Sequence, residues 1–465
     1  MPERITIRRY EYETIAIGED GFHATHFERL VQWNERNANR FFTVGHNRVY
    51  CTNHVGVVQI GSLVIEVLPK ADRNAGINEQ GRWQQALLTM LHVAHDLPLY
   101  EAQQASLRLR HTSLLDFFFG LYVREVQRLV HRGLVKQYHT VQGNLTALKG
   151  RLDFPRHLRH NLVHRERFGV VHQTYDTDHL LHSILGGALH IAQHTTQDGL
   201  LKGRMQDLAW AFERVADRPI NASTFRRLRL GRKTSDYSRA VQLAKLIILK
   251  YSPDLQSGRE PVLGILFEME RLWEKFMLRL LKRDCPEGST VSGQETTDFW
   301  EDRSIRPDIV ITSAAGERTI VDTKWKMPDE GKPAMSDLQQ LFAYNVQFGC
   351  DHSVLLYPGD LGSVRGEYAS AGDGWRSKEL PHWCSMAYAM PFRENGQLNS
   401  DANFFADLFG IRHFAFGTEA HTQWAPPTSR NRERYPGLIR GRTRYSFTTE
   451  NTRPPVPSGA VARNV

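Results

Sequence analysis

Two short runs hold the residues best able to do chemistry: Arg306-Pro307-Asp308-Ile309-Val310 and Ile320-Val321-Asp322-Thr323-Lys324. Both read as strands rich in β-branched residues. If Ser313–Glu317 forms the loop between them, Thr312 faces Arg318, and counting back sets Asp308 opposite Asp322. Cβ atoms in such a cross-strand pair lie ~4.5–5.5 Å apart. Asp322 and Lys324 are two residues apart and project from one face. Facing carboxylates repel each other between apolar strands, and the lysine offsets part of that cost. A divalent cation offsets more, and an all-oxygen ligand set favours a hard ion, Mg²⁺, with Mn²⁺ as its substitute. A metal on two carboxylates beside an amine suits phosphodiester hydrolysis. The metal activates a water and stabilises the charge building on phosphorus, and the lysine orients that water or neutralises the charge. The plainer reading of the same residues is two salt bridges in an ordinary hairpin.

Two helical segments must stand beside this hairpin. The spacing predicts a long helix over about Val262–Lys282, on which Glu270 and Glu274 fall one turn apart. Glu274 lies between Trp273 and Phe276, close to the apolar stripe, where it could complete a metal site or end the stripe as a boundary residue. A second helix, capped at Ser336-Asp337, is predicted to run to about Phe348 and carries Gln340 and Tyr344 on one face. Their amide and hydroxyl need partners, either the DNA backbone or the catalytic strand. A strand at Ser353–Tyr357 follows, and this alternation predicts a sheet covered by helices.

Elsewhere the patterns change. Gly56–Pro69 reads as two strands joined at Gly61-Ser62. Trp83–Asp96, Ser113–Val130, His179–His194, Gly203–Val215 and Ser238–Lys250 have helical spacing, separated by basic connectors at His131–Tyr138, Arg151–Arg167 and Arg226–Lys233. The last of these alternates basic and apolar residues like an edge strand. The fold class expected is α/β, α+β overall. It comprises a β-rich N-terminal domain (1–75), a mainly helical middle region (76–257), a mixed sheet flanked by helices (258–419) and a flexible Arg- and Pro-rich tail (420–465).

Composition sets the boundaries. The chain has 465 residues, 41% hydrophobic and 24% charged, which fits a globular protein. No apolar run approaches the ~18–20 residues that span a bilayer, and the N-terminus lacks a secretory apolar core. Four scattered cysteines argue against a disulfide scaffold, and a cytoplasmic location is expected. The net charge is +8, but residues 421–465 carry eight Arg against two Glu, so the body is near neutral. His172, Asp176, Asp178, His179 and His182 cluster, more in the manner of a polar helix start than of a metal site. No G-x-x-x-x-G-K-[ST] loop is present, so no nucleotide is expected on this chain.

Taken together, a helix Glu, Pro-Asp, Asp-x-Lys and a following Gln-x-x-x-Tyr resemble the PD-(D/E)xK nuclease superfamily. Glu66-Val67-Leu68-Pro69-Lys70, Leu148-Lys149-Gly150-Arg151-Leu152 and Phe267–Glu274 narrow the resemblance to the McrC-like subunits of McrBC modification-dependent restriction systems. It spans about residues 50–350. The resemblance implies a Mg²⁺-dependent endonuclease acting on double-stranded DNA beside an McrB-like AAA+ GTPase that recognises methylcytosine, with no membrane. The region 258–419 would be the nuclease domain and the N-terminal region the partner-docking one. Asp308, Asp322, Lys324 and Glu274 would be catalytic, with Asp308, Asp322 and Glu274 on the metal. Gln340 and Tyr344 would be auxiliary. Arg306, Lys326, Arg226 and Arg227 are candidate contacts to the DNA backbone. A stand-alone repair or recombination nuclease and a non-catalytic regulatory subunit of an NTPase are the alternatives.

Overall fold

A computed structural model of the chain describes residues 4–70, 79–95, 113–252, 261–328, 332–350, 352–359, 362–368 and 383–389 and four positions between 391 and 398. The expected tail at 420–465 lies outside the described residues.

The N-terminal strands are β1 (Ile5–Tyr10), β2 (Thr14–Ala16), β3 (Phe42–Gly45), β4 (Arg48–Cys51), β5 (His54–Ile60) and β6 (Leu63–Leu68), with helix α1 (Ala24–Arg36) between β2 and β3. Gly61-Ser62 closes β5 onto β6 as the sequence predicts, with Ile60 paired to Leu63. Gly61 takes φ 57°, a conformation glycine adopts without a Cβ penalty. Both faces of β5 and β6 are covered, which explains their unbroken apolar runs. Leu30, Trp33, Phe42 and Val49 pack on one face, and the middle helices on the other.

The middle helices are α2 (Gln80–His95), α3 (Leu114–Arg132), α4 (Phe154–Asn161), α5 (Leu180–Thr195), α6 (Gly199–Ala209), α7 (Ala222–Arg227) and α8 (Ser238–Lys250). Buried Glu66 of β6 ties two of them to the sheet: it accepts from Gln84 Nε2 at 3.2 Å and from Leu114 N at 2.7 Å while pairing with Arg8 at 2.9 Å. Two of the expected connectors carry structure. β7 (Gln137–Leu145), β8 (Arg151–Leu152) and β9 (Phe168–Asp176) form a three-stranded sheet on which α4 packs. The edge strand expected at 226–233 is absent. Arg226 and Arg227 end α7, and Arg232–Tyr237 forms a 3-10 turn. The helix expected at Gly203–Val215 starts earlier, at Gly199, and tightens into a 3-10 turn at Trp210–Phe212.

The long helix expected from Val262 is corrected. After β10 (Tyr251–Ser252), residues Val262–Glu268 form strand β11, and the helix α9 spans only Met269–Arg283. β11 pairs antiparallel with β5, giving a five-stranded sheet of order β1-β6-β5-β11-β10. Gly264 lets α1 pack closely on this strand, since a Cβ there would meet the Trp33 ring at 2.3 Å.

The remaining strands are β12 (Thr290–Gly293), β13 (Thr297–Trp300), β14 (Arg303–Ile305), β15 (Ile309–Thr312), β16 (Arg318–Thr323), β17 (His352–Pro358), β18 (Gly362–Glu367) and β19 (Trp383–Ala389), with helix α10 (Met335–Phe348) between β16 and β17. β13 and β14 pair with each other, and the rest form a six-stranded mixed sheet of order β12-β15-β16-β17-β19-β18. Alternation splits its side chains. Val310, Ile320 and Leu355 pack with Leu341, Tyr344 and Phe348 of α10, whereas Ile309, Val321 and Val354 join the larger core that contains α9. Among the described residues no helix is long and apolar enough to cross a membrane.

Candidate active site

The hairpin register is the one the sequence predicts: Thr312 pairs with Arg318 and Ile309 with Val321. The ladder stops one residue short of Asp308. Pro307 has no N–H to extend it, and the Asp308 carboxylate turns to the end of the neighbouring strand instead. Its Oδ2 accepts from both Thr323 N and Thr323 Oγ1 at 2.8 Å. Asp322 is 2% exposed, and its Oδ2 lies 2.7 Å from Lys324 Nζ. Asp308, Asp322 and Lys324 share the parity of Val310 and Ile320, the α10 side of the sheet.

Helix α10 meets them there. Lys324 Nζ donates to Gln340 Oε1 at 3.2 Å, Gln340 Nε2 donates to Tyr344 Oη at 2.8 Å, and Tyr344 Oη donates to Arg306 O at 3.2 Å. The i, i+4 pair therefore links the lysine to the backbone just before Asp308. The helix cap is Ala334, not Ser336-Asp337. Asp337 lies in the first turn, buried, 2.7 Å from Lys326 Nζ and 3.6 Å from Lys324 Nζ. From the other side, Glu274 of α9 accepts from Gln294 Nε2 at 2.7 Å, while Gln294 N donates to Asp308 O at 3.0 Å.

A cleft of about 370 Å³ gathers Glu274, Asp308, Asp322, Lys324, Gln340 and Tyr344, with Arg306 and Lys326 also on its wall. Arg226 and Arg227 are exposed at the end of α7 and do not line it.

The profile of the McrBC 5-methylcytosine restriction system component matches residues 49–358, about two-thirds of the chain. The chain belongs to the McrBC family. No curated protein matches it. Among solved structures, the McrBC chain resembles a half-complex from a tetradecameric assembly of Thermococcus gammatolerans McrB AAA+ hexamers with bound McrC. The TM-score is 0.65 at 19% identity, covering 87% of this chain and 100% of that one. A cryo-EM structure of the Thermococcus gammatolerans McrBC complex also matches, with TM-score 0.46 and 20% identity over 61% of this chain and 88% of that one. The first of these likenesses shows a shared fold.

The electrostatics of the site follow from burial first and crowding second. Burial pushes the Asp322 carboxyl up to about 6, Asp308 adds to the rise, and Lys324 opposes it. Burial and then Asp308 raise Glu274, against the Gln294 hydrogen bond. Burial works against the charge on Lys324, but Asp322, Asp337 and Asp308 outweigh it and hold the ammonium protonated beyond its ordinary range. Among the described residues, no three His, Cys, Asp or Glu side chains are gathered closely enough to hold a metal ion. Mg²⁺ needs only one or two carboxylates and keeps several waters. The donor chemistry of Asp308 and Asp322, two carboxylates crowded together with one of them buried, therefore fits that ion.

Three participants were not read from the sequence. Thr323 is only the unspecified middle of Asp-x-Lys, Asp337 stands in the expected cap, and Gln294 lies in none of the expected elements. The His172–His182 cluster resolves as structure: Asp178 pairs with Arg218 at 2.7 Å, and buried His182 bonds Thr177 O at 2.7 Å.

Proposed function

We propose that this chain is the DNA-cutting subunit of a modification-dependent restriction complex. It hydrolyses phosphodiester bonds in double-stranded DNA with Mg²⁺ or Mn²⁺, and it works beside an AAA+ GTPase of the McrB kind whose hydrolysis it stimulates. One observation carries the reading: Lys324 Nζ stands 2.7 Å from Asp322 on the strand whose neighbour delivers Asp308 to the same face. Family membership supports the restriction role. The sequence has no phosphate-binding loop of its own, so NTP-driven work falls to another chain, as with the McrB hexamers of the Thermococcus assembly. The β-rich N-terminal region is the docking part in this scheme, and residues 258–419 the cutting part.

Asp308 and Asp322 would hold the ion, with Glu274 on the cleft wall outside that pair rather than as the third ligand the resemblance implies. The ion, when bound, supplies a Lewis acid and a water of lowered pKa. The chain does the rest. Thr323 fixes the Asp308 carboxylate, and Gln340 and Asp322 aim the Lys324 ammonium at one point. That ammonium meets the charge that develops on the scissile phosphate, in a site whose donors are already oriented. Arg306 at the rim and Lys326 are the phosphate contacts. The test is cleavage of 5-methylcytosine DNA by the assembled complex. Asp308→Ala or Asp322→Ala should lower it by on the order of 10³-fold while partner binding persists.

A further inference from the structure

We infer that Glu11 and Trp325 are positioning residues for the cutting site: their hydrogen bond braces the strand exit that carries Lys324 against the helix that carries Glu274. The inference rests on the nuclease reading above.

Strand β16 ends at Thr323, and the next two residues diverge. Lys324 reaches Gln340 of α10, while Trp325 packs into the core that contains α9. There its ring lies 5.1 Å from that of Trp273, the fully buried residue directly before Glu274. The position of Trp325 therefore sets the distance between the lysine and the helix carboxylate. Trp325 Nε1 donates to Glu11 Oε1 at 2.8 Å, across 314 positions of sequence.

Glu11 is a costly place to anchor a tryptophan. It follows β1, is 2% exposed, and is held by its own N–H to Leu68 O at 3.0 Å. Lys70 N donates to the same Oε1 at 3.1 Å, while Oε2 is buried without a partner among the described residues. A carboxylate buried this way is disfavoured unless its bonds return the lost hydration. Packing alone needs no acid here; holding an indole N–H in one place does need an acceptor. The brace also shares a platform with the helix it positions. Glu11 extends β1 and α9 extends β11, and both strands lie in the five-stranded sheet. The Glu11–Trp325 bond links that sheet to the exit of β16 in the six-stranded one.

The test compares wild type, Glu11→Ala, Glu11→Gln, Trp325→Phe and Asp322→Ala, each in the assembled complex. Single-turnover DNA cleavage, Mn²⁺ binding by calorimetry and stimulated NTP hydrolysis are read for all five. Glu11→Ala and Trp325→Phe should slow cleavage about ten-fold and weaken Mn²⁺ binding several-fold, with NTP hydrolysis unchanged. Glu11→Gln keeps an acceptor for Trp325 and should restore both. If Glu11→Ala fails to fold, Trp325→Phe, which keeps the ring and loses only the donor, carries the same test. Wild-type cleavage and Mn²⁺ binding by Trp325→Phe, with Asp322→Ala inactive, overturn the brace and leave the nuclease reading intact. Cleavage by Asp322→Ala overturns the nuclease reading instead.

Discussion

The Asp308 carboxylate is clamped by Thr323, accepting both its backbone N–H and its hydroxyl at 2.8 Å. The strand that carries Asp322 and Lys324 thus orients the aspartate of its neighbour through the residue between them. Thr323→Val keeps the N–H and the shape but loses the hydroxyl. Cleavage should fall about ten-fold, as for other residues that orient a ligand, and stability by only about 1 kcal/mol. Single-turnover cleavage and a thermal melt check both.

Gln340 and Tyr344 act on the lysine. Burial raises the Tyr344 hydroxyl pKa and the Gln340 hydrogen bond opposes the rise, so the group is a neutral donor to Arg306 O at working pH. Tyr344→Phe breaks that bond and the one from Gln340, and should cost about 1–2 kcal/mol of stability. Gln340→Ala leaves the fold unchanged and removes one of the groups that aim Lys324 Nζ, while Asp322 still holds it, so it should lower the cleavage rate more than DNA affinity. Separate binding and rate measurements distinguish the two variants.

Gly264 tests the correction to the helix. Were residues 262–268 helical, Gly264→Ala would stabilise the protein by about 1 kcal/mol. In strand β11 the new Cβ would meet Trp33 Cζ2 at 2.3 Å. Overpacking of that kind costs roughly 1–3 kcal/mol. Chemical denaturation gives the sign.

That segment also shows what a sequence carries. The Asp308–Asp322 relationship was legible because strand alternation has period two and the loop length fixes the register. The Gly61-Ser62 turn was legible because a Gly-Ser step separates two β-branched runs. Val262–Glu268 was not, because a short apolar run fits a buried strand and a helix equally until its partner, β5, is known. β7 and β9 were missed because their alternating exposed residues are largely polar, so the pairing is held by the backbone ladder more than by an apolar face. Glu11 and Gln294 lie far along the chain from the residues they serve, and no local pattern marks them.

Glu11 predicts a pH dependence. Burial pushes its carboxyl up to about 7, Trp325 and Lys70 oppose the rise, and Glu270 adds to it. The folded state therefore holds a proton that the unfolded chain releases near its ordinary value of 4.5. By linkage, this group's contribution to stability declines as pH rises from about 4.5 to about 7 and is level above that. Glu11→Gln should remove that slope. Wild-type and variant unfolding free energies measured across this window give the difference.

The central claim is that Asp308, Asp322 and Lys324 cut DNA. It is tested most directly by giving the assembled complex 5-methylcytosine DNA, NTP and Mg²⁺ and scoring strand breaks beside NTP hydrolysis for Asp322→Ala. The account predicts undiminished hydrolysis with no breaks; breaks at the wild-type rate would contradict it.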